Sequence, residues 1–223
     1  MFDNIAWKYD FLNHFLSAGI DHSWRKKLVK IIAERHPEKV LDVATGTADL
    51  AIALTRHSEA SVVGIDISQG MLDLGVKKVS KRNLAERIKL QWADSEDLPF
   101  SDACFDACMV AFGVRNFEDL DRGLSEMHRV LSPGGMIAVL EFSKPRRFPV
   151  KHLYMFYFKH ILPLMGKLVS KDRAAYTYLP ESVEAFPDGA AFIAHLQKAG
   201  FVQCHERRLS FGIATIYSGL KLN

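Results

Sequence analysis

The 223-residue chain predicts an open, doubly wound α/β sheet, mostly parallel with an antiparallel edge strand, on three observations. Short β-rich runs alternate with stretches of helical spacing, the arrangement of a parallel sheet with helices on both faces. The run VLDVATGTADLAIAL joins the first strand to a helix through a turn that carries a glycine. Acidic residues, Asp42, Asp66 and Asp94, stand at the ends of three successive strands.

The elements follow in order. Residues 1–36 read as helical and are expected to form an N-terminal lid. KVLDVA (39–44), SVVGID (61–66), IKLQWA (88–93), FDACMVAF (105–112) and MIAVLEF (136–142) are the strands. Between them, 50–57, 68–82 and 117–131 have helical spacing, and Ser68 is a predicted N-cap. Pro133, Gly134 and Gly135 predict a turn before the fifth strand. After Ser143 an inserted region, 144–187, contains an aromatic and basic helical stretch (148–170) and is expected to be a second lid. A helix near 188–199 then precedes FVQCHERRL and FGIATIYSGLK, an expected antiparallel pair at the sheet edge. All of this fits a single domain, 1–223, with ligands bound outside the strand ends.

Composition narrows the function classes. With 48% hydrophobic and 25% charged residues and no window of about 18 apolar residues, no membrane span is expected. The start, MFDNIAWKYDF, lacks the basic and apolar regions of a signal peptide, which predicts a cytoplasmic protein. Cys104, Cys108 and Cys204 have no metal-ligand spacing and read as buried thiols, so no metal is expected. The net charge of +3 is too small to predict a nucleic-acid partner. The positive charge is local: positions 144, 146, 147, 151, 159, 167, 171 and 173 are Lys or Arg, against Asp172 alone among acids in that segment.

The turn after the first strand discriminates among cofactors. A dinucleotide pyrophosphate requires G-x-G-x-x-G so that the backbone can approach two phosphates. Here Ala44 and Ala48 flank Gly46, and no G-x-x-x-x-G-K-[ST] run exists. S-adenosylmethionine fits better, since it has no phosphate and offers a carboxylate, an ammonium, a ribose and an adenine. Asp66, twenty residues beyond Gly46, suits a ribose diol, though it also suits a cap on the following helix. Asp94 suits the adenine amino group and the Ser95 backbone a ring nitrogen.

At this point the sequence resembles the class I S-adenosylmethionine-dependent methyltransferases, and within them the ubiquinone/menaquinone biosynthesis C-methyltransferase family. The likeness runs from about Phe2 to the C-terminus and rests on YDFLNHFLSAGIDHSW (9–24), FGVRN (112–116), RVLSPGGMIAVLEFS (129–143) and YTYLPESVEAFP (176–187). It departs from the family pattern at Ala48, where glycine is usual, at Ser132 and at Ala111. A positive φ at Ala48 would cost about 1 kcal/mol.

The resemblance implies a Rossmann-like methyltransferase fold and a cofactor site of Asp42, Ala44, Gly46, Thr47, Asp66, Ile67, Asp94 and Ser95. It puts Arg115 and Asn116 at the acceptor, with Asp10 as a helper. Other readings give Arg115 a pairing with Glu118 or Asp119, His22 and Trp24 a place in the core, and Tyr9 and Asp10 a lid-closing role. The implied reaction is C-methylation of a polyprenylated quinol, demethylmenaquinol to menaquinol. A methoxy-benzoquinol, another small-molecule or lipid acceptor, and a non-catalytic cofactor-binding scaffold are the alternatives, with a nicotinamide oxidoreductase more distant. The expected partners are the lipid quinol, the inner face of a membrane through 144–173, and a second copy in a homodimer.

Overall fold

The computed structural model describes residues 19–146, 148–156 and 181–222. Its sheet contains β1 (Lys39–Val43), β2 (Ser61–Asp66), β3 (Ile88–Trp92), β4 (Phe105–Ala111), β5 (Leu131–Phe142), β6 (Val202–Leu209) and β7 (Ala214–Leu220), in the order β3-β2-β1-β4-β5-β7-β6. Strands β1 to β5 pair in parallel. The final two strands form the expected antiparallel pair at the edge, with β7 the reversed strand inserted between β5 and β6. Strand order reverses between β1 and β4, which leaves a crevice at their C-terminal ends.

Helices α1 (Asp21–Ala33), α2 (Asp49–Leu54), α3 (Gln69–Lys81), α4 (Leu120–Val130), α5 (Val150–Phe156) and α6 (Ala190–Lys198) accompany the sheet. The central strands are buried on both faces, which is why they read as nearly continuous apolar runs. Val40, Met109, Ala138 and Leu140 join one core cluster with α1 and α2. Leu41, Val110, Ile137 and Val139 join the other with α4 and α6. Ser68 caps α3 as expected, its side chain accepting from the Met71 N–H at 3.4 Å.

Three expectations are corrected. Helix α1 is part of the core rather than a lid, because Trp24, Leu28, Val29 and Ile32 lie at helical spacing along one buried stripe. His22, one residue past the buried Asp21, has a side chain 69% exposed, so it is not a core histidine, whereas Trp24 is a core residue. Pro133, Gly134 and Gly135 lie within β5. Leu131 pairs with Phe105, pairing resumes at Met136 with Ala107, and the residues between form a bulge. A Cβ on Gly135 would stand 2.7 Å from the Ser132 carbonyl oxygen, so the bulge requires glycine there. Of the cysteines, Cys108 is buried, while Cys104 and Cys204 are half-buried. Residues 1–18 and 157–180, which contain Tyr9, Asp10 and most of the second lid, lie outside the described residues.

Candidate functional site

A cavity of about 210 Å³ opens at the C-terminal ends of β1 to β4. It is lined by Asp42, Ala44, Gly46, Asp66, Ile67, Asp94 and Ser95, which are seven of the eight residues expected to bind the cofactor. The eighth, Thr47, does not line it: this side chain is buried, and its hydroxyl accepts from the Lys78 ammonium, which also pairs with Asp49 at 2.9 Å. Thr45 lines the cavity instead and donates its hydroxyl to Asp42 Oδ2 at 2.6 Å.

The turn from β1 to α2 has positive φ at Ala44 (52°), Gly46 (56°) and Ala48 (66°). Two alanines hold a conformation that favours glycine, and glycines on the neighbouring elements make room for the side chains. A Cβ on Gly113 would stand 2.6 Å from the Ala44 Cβ, and one on Gly64 would stand 2.8 Å from Thr45 Oγ1. A Cβ on Gly75 of α3 would stand 3.5 Å from the Ala48 Cβ. The Ala48 methyl is therefore buried against α3 and takes no space from the cavity. Its backbone strain costs stability without obstructing a ligand.

Each strand-end carboxylate has a distinct setting. Asp42 is buried, and its Oδ1 has no hydrogen-bond partner among the described residues. Burial pushes its pKa up to about 7, against the opposing pull of Thr45, the Ala51 N–H and Arg25. Asp66 Oδ2 accepts from the Gly46 N–H and Oδ1 from the Ser68 N–H, both at 2.9 Å. It thereby fixes the turn and the start of α3 together. Asp94 Oδ1 accepts from the Glu96 N–H at 2.9 Å and shapes the turn after β3. Ile67 is 51% exposed and presents an apolar surface, its carbonyl held by the Trp92 indole N–H at 2.9 Å.

Among the described residues the lining carries Asp42, Asp49, Asp66, Asp94, Glu96 and Glu118 against one cation, Arg25, which pairs with Asp21. That balance fits a cationic ligand and opposes a pyrophosphate. Arg25 and Phe112 were not legible as site residues: the sequence separation between α1 and β4 hides their convergence.

Of the two residues expected at the acceptor, Asn116 lines the cavity and Arg115 does not. In place of the alternative pairing with Glu118 or Asp119, Arg115 reaches inward to β5. Its Nη1 donates to Glu141 Oε1 at 2.6 Å and to the Phe112 carbonyl at 2.9 Å, and both members of the ion pair are fully buried. The guanidinium lies 5.5 Å from the Phe142 ring centroid. The second Glu141 oxygen has no hydrogen-bond partner among the described residues, and burial raises this carboxyl above the usual range despite Arg115. Glu141 was overlooked, although an acid inside the apolar run MIAVLEF is a signal of a buried partner.

The whole chain has recognisable relatives. The model of the ubiE/COQ5 methyltransferase family matches residues 1–221. A demethylmenaquinone methyltransferase from Bacteroides fragilis is 49% identical over 222 residues, 99% of this chain and 91% of that protein. A ubiquinone/menaquinone biosynthesis C-methyltransferase, UbiE, from Geotalea daltonii is 50% identical over 223 residues, covering 99% and 94%. Among solved structures, an S-adenosylmethionine-dependent methyltransferase from Thermotoga maritima, described as a possible histamine N-methyltransferase, gives a TM-score of 0.69 at 18% identity. That match covers 99% of this chain and 98% of the other, and it concerns the fold alone. With an acidic cavity at the switch point of the sheet and the match extending over nearly every residue, the chain belongs to the ubiE/COQ5 methyltransferase family.

Proposed function

We propose that the protein transfers a methyl group from S-adenosylmethionine to a ring carbon of a polyprenylated quinol, converting demethylmenaquinol to menaquinol. The observation that carries this reading is the 49% identity, over 99% of the chain, to a protein named for that reaction. The dual name of the Geotalea relative favours a methoxy-benzoquinol acceptor as the second reading.

The residues present fit the cofactor. Asp42 offers a buried carboxylate oxygen without a partner among the described residues, which suits an ammonium, and Asp66, at the end of β2 on the cavity wall, suits a ribose diol. Asp94, Ser95 and Ile67 suit the adenine, and Ala44, Thr45 and Gly46 form the floor, with Thr45 taking the place expected of Thr47. When bound, S-adenosylmethionine supplies an electrophilic methyl group on a sulfonium.

A neutral aromatic carbon is a weak nucleophile, so the quinol must lose a phenolic proton to place negative charge on the adjacent carbon. Asn116 is the described residue proposed to hold that oxygen, and Asp10 is proposed as a proton acceptor. Arg115 acts through position: its bonds to Glu141 and the Phe112 carbonyl hold the stretch that presents Asn116. Anion and cation neutralise each other in the transfer, so excluding water from the cavity accelerates it. Membrane contact through 144–173 and a homodimer belong to the same reading. No described helix is long and apolar enough to cross a membrane.

The test uses methyl-labelled S-adenosylmethionine with reduced demethylmenaquinone and, in parallel, a demethylated methoxy-benzoquinol. Label on the naphthoquinol ring carbon is expected. Label only on the benzoquinol selects the second reading, and cofactor binding without transfer to either overturns both.

A further inference from the structure

We infer that the protein docks on an anionic lipid surface through the tip of the β6–β7 hairpin, with Phe211 as the inserted side chain and Phe148 beside it. This rests on the lipid-quinol reading above and adds an element remote in sequence from the basic segment 144–173.

The tip has three consecutive positive φ angles: Ser210 (44°), Phe211 (59°) and Gly212 (93°). For a bulky residue such a conformation is strained, and it persists where surrounding structure enforces it. That enforcement comes from buried groups on both sides. Trp24, 1% exposed, donates its indole N–H to Ser210 Oγ at 2.9 Å. Ser143, fully buried, donates its hydroxyl to the Gly212 carbonyl and its N–H to the Ile213 carbonyl, both at 2.9 Å. The result of all this fixing is a phenylalanine 83% exposed to solvent. Phe148 is 81% exposed, three residues after Pro145, whose Cα would lie 3.6 Å from a Cβ on Gly212. Two aromatic rings thus project from adjoining segments, each more than four-fifths exposed.

Charge selects the partner. Arg146, Lys151 and Arg207 are exposed around these segments, and Arg208 lies beside Gly212. Glu206 is paired with Arg208, Asp188 lies 3.8 Å and 3.9 Å from Lys144 and Arg146, and the exposed Glu184 adjoins Lys144, which leaves the five basic side chains in excess over three acids. Aromatic rings projecting from a cationic rim match the interface of an anionic bilayer, where rings enter the acyl boundary and cations meet headgroups. Ala214 pairs with Phe142 at the C-terminal end of β5, so the tip stands at the cavity end of the sheet. Trp24, which holds Ser210, packs against the cavity-lining Phe112 with ring centroids 6.3 Å apart.

The test compares the full chain with Phe211→Ala and Phe211→Trp on vesicles of phosphatidylcholine alone and mixed with phosphatidylglycerol. The wild-type chain is expected to co-sediment with the anionic vesicles, and Phe211→Ala to bind them about tenfold more weakly. Phe211→Trp should retain binding and show an added blue-shifted emission on vesicles. S-adenosylmethionine affinity and methylation of a short-chain, water-soluble quinol should be unchanged in Phe211→Ala, while kcat/KM for a long-prenyl quinol in vesicles falls. Equal vesicle binding by wild type and Phe211→Ala, an unshifted emission from the tryptophan introduced by Phe211→Trp, or equal binding to both vesicle types overturns the docking. Vesicle binding with no methylation of any quinol by the wild type overturns the acceptor reading and leaves the docking standing.

Discussion

On the β1–β2–β3 side of the cavity carboxylates face inward, and Asp42 keeps an oxygen without a hydrogen-bond partner among the described residues. On the β4–β5 side the buried acid, Glu141, sits outside the cavity lining and pairs with Arg115, whose guanidinium lies against Phe142, itself packed on Phe112 and Trp24. The first side holds an electrostatic penalty that a cationic ligand relieves. The second closes most of its charge in an ion pair outside the cavity, where one Glu141 oxygen also lacks a hydrogen-bond partner among the described residues, and it presents Phe112 and Phe117 to the cavity. On the proposed reading, a cavity divided in this way suits a sulfonium on one side and an aromatic acceptor on the other.

Removing one member of the buried pair tests this contrast most severely. Arg115→Ala leaves Glu141 buried and uncompensated, and it is expected to destabilise the fold by about 3–5 kcal/mol, read by urea denaturation. Replacing both, as Arg115→Met with Glu141→Leu, should recover most of that loss, because an apolar pair removes the desolvation cost of two charges. If the stable double variant binds cofactor but turns over slowly, the clamp on the Phe112–Asn116 stretch matters to chemistry. Wild-type stability in Arg115→Ala would abolish the contrast.

Asp42 gives the next largest effect. Its folded pKa of about 7 exceeds the ordinary carboxylate value of 3.8, so between these pH values the folded chain keeps a proton that the unfolded chain has released. The contribution of Asp42 to stability is thus fully present below about pH 4 and falls as pH rises toward 7. The whole shift corresponds to about 4 kcal/mol at 1.36 kcal/mol per unit. Asp42→Asn should flatten that dependence and make the cofactor-free protein more stable at pH 8, while weakening S-adenosylmethionine binding. Cofactor binding to the native chain should release a proton below pH 7, measurable by titration calorimetry in buffers of different ionisation enthalpy. A stability difference between the two proteins that is constant from pH 4 to pH 8 would remove the unpaired carboxylate from the account.

The same division explains what could be read in advance. The carboxylate side is local in sequence: Asp66 ends β2, and Asp42 and Asp94 lie within two residues of the ends of β1 and β3, so alternation of strand and helix places all three. The β4–β5 side is built from contacts across long separations, such as Arg115 with Glu141 and Trp24 with Phe112, which no periodicity reports. The resemblance implies Thr47 as a cofactor residue, and only three-dimensional placement shows Thr45 on Asp42 and Thr47 on Lys78. The stripe in α1 was legible as helix, but its burial depended on the sheet face it meets.

The β1–α2 turn supplies the smallest and most local test. Gly113 has φ −110° and ψ −37°, a conformation open to alanine, so a methyl there is penalised by space alone. It would stand 2.6 Å from the Ala44 Cβ, and since both atoms are fixed to backbone, neither can rotate away. Gly113→Ala should therefore cost about 1–3 kcal/mol and weaken cofactor binding by displacing a cavity wall. Ala44→Gly alone is expected to be nearly neutral, since it trades a methyl contact for relief at φ 52°. Combined, the two substitutions move the methyl from the turn to the facing loop, and the double variant should regain most of the lost stability and affinity. A coupling of about 1 kcal/mol or more in that cycle would mean the backbone freedom of a glycine-rich turn is provided here by its neighbours. An equal penalty for Gly113→Ala in the wild-type and Ala44→Gly backgrounds would place the constraint elsewhere, on Val110, whose Cγ1 is the next nearest atom at 3.1 Å.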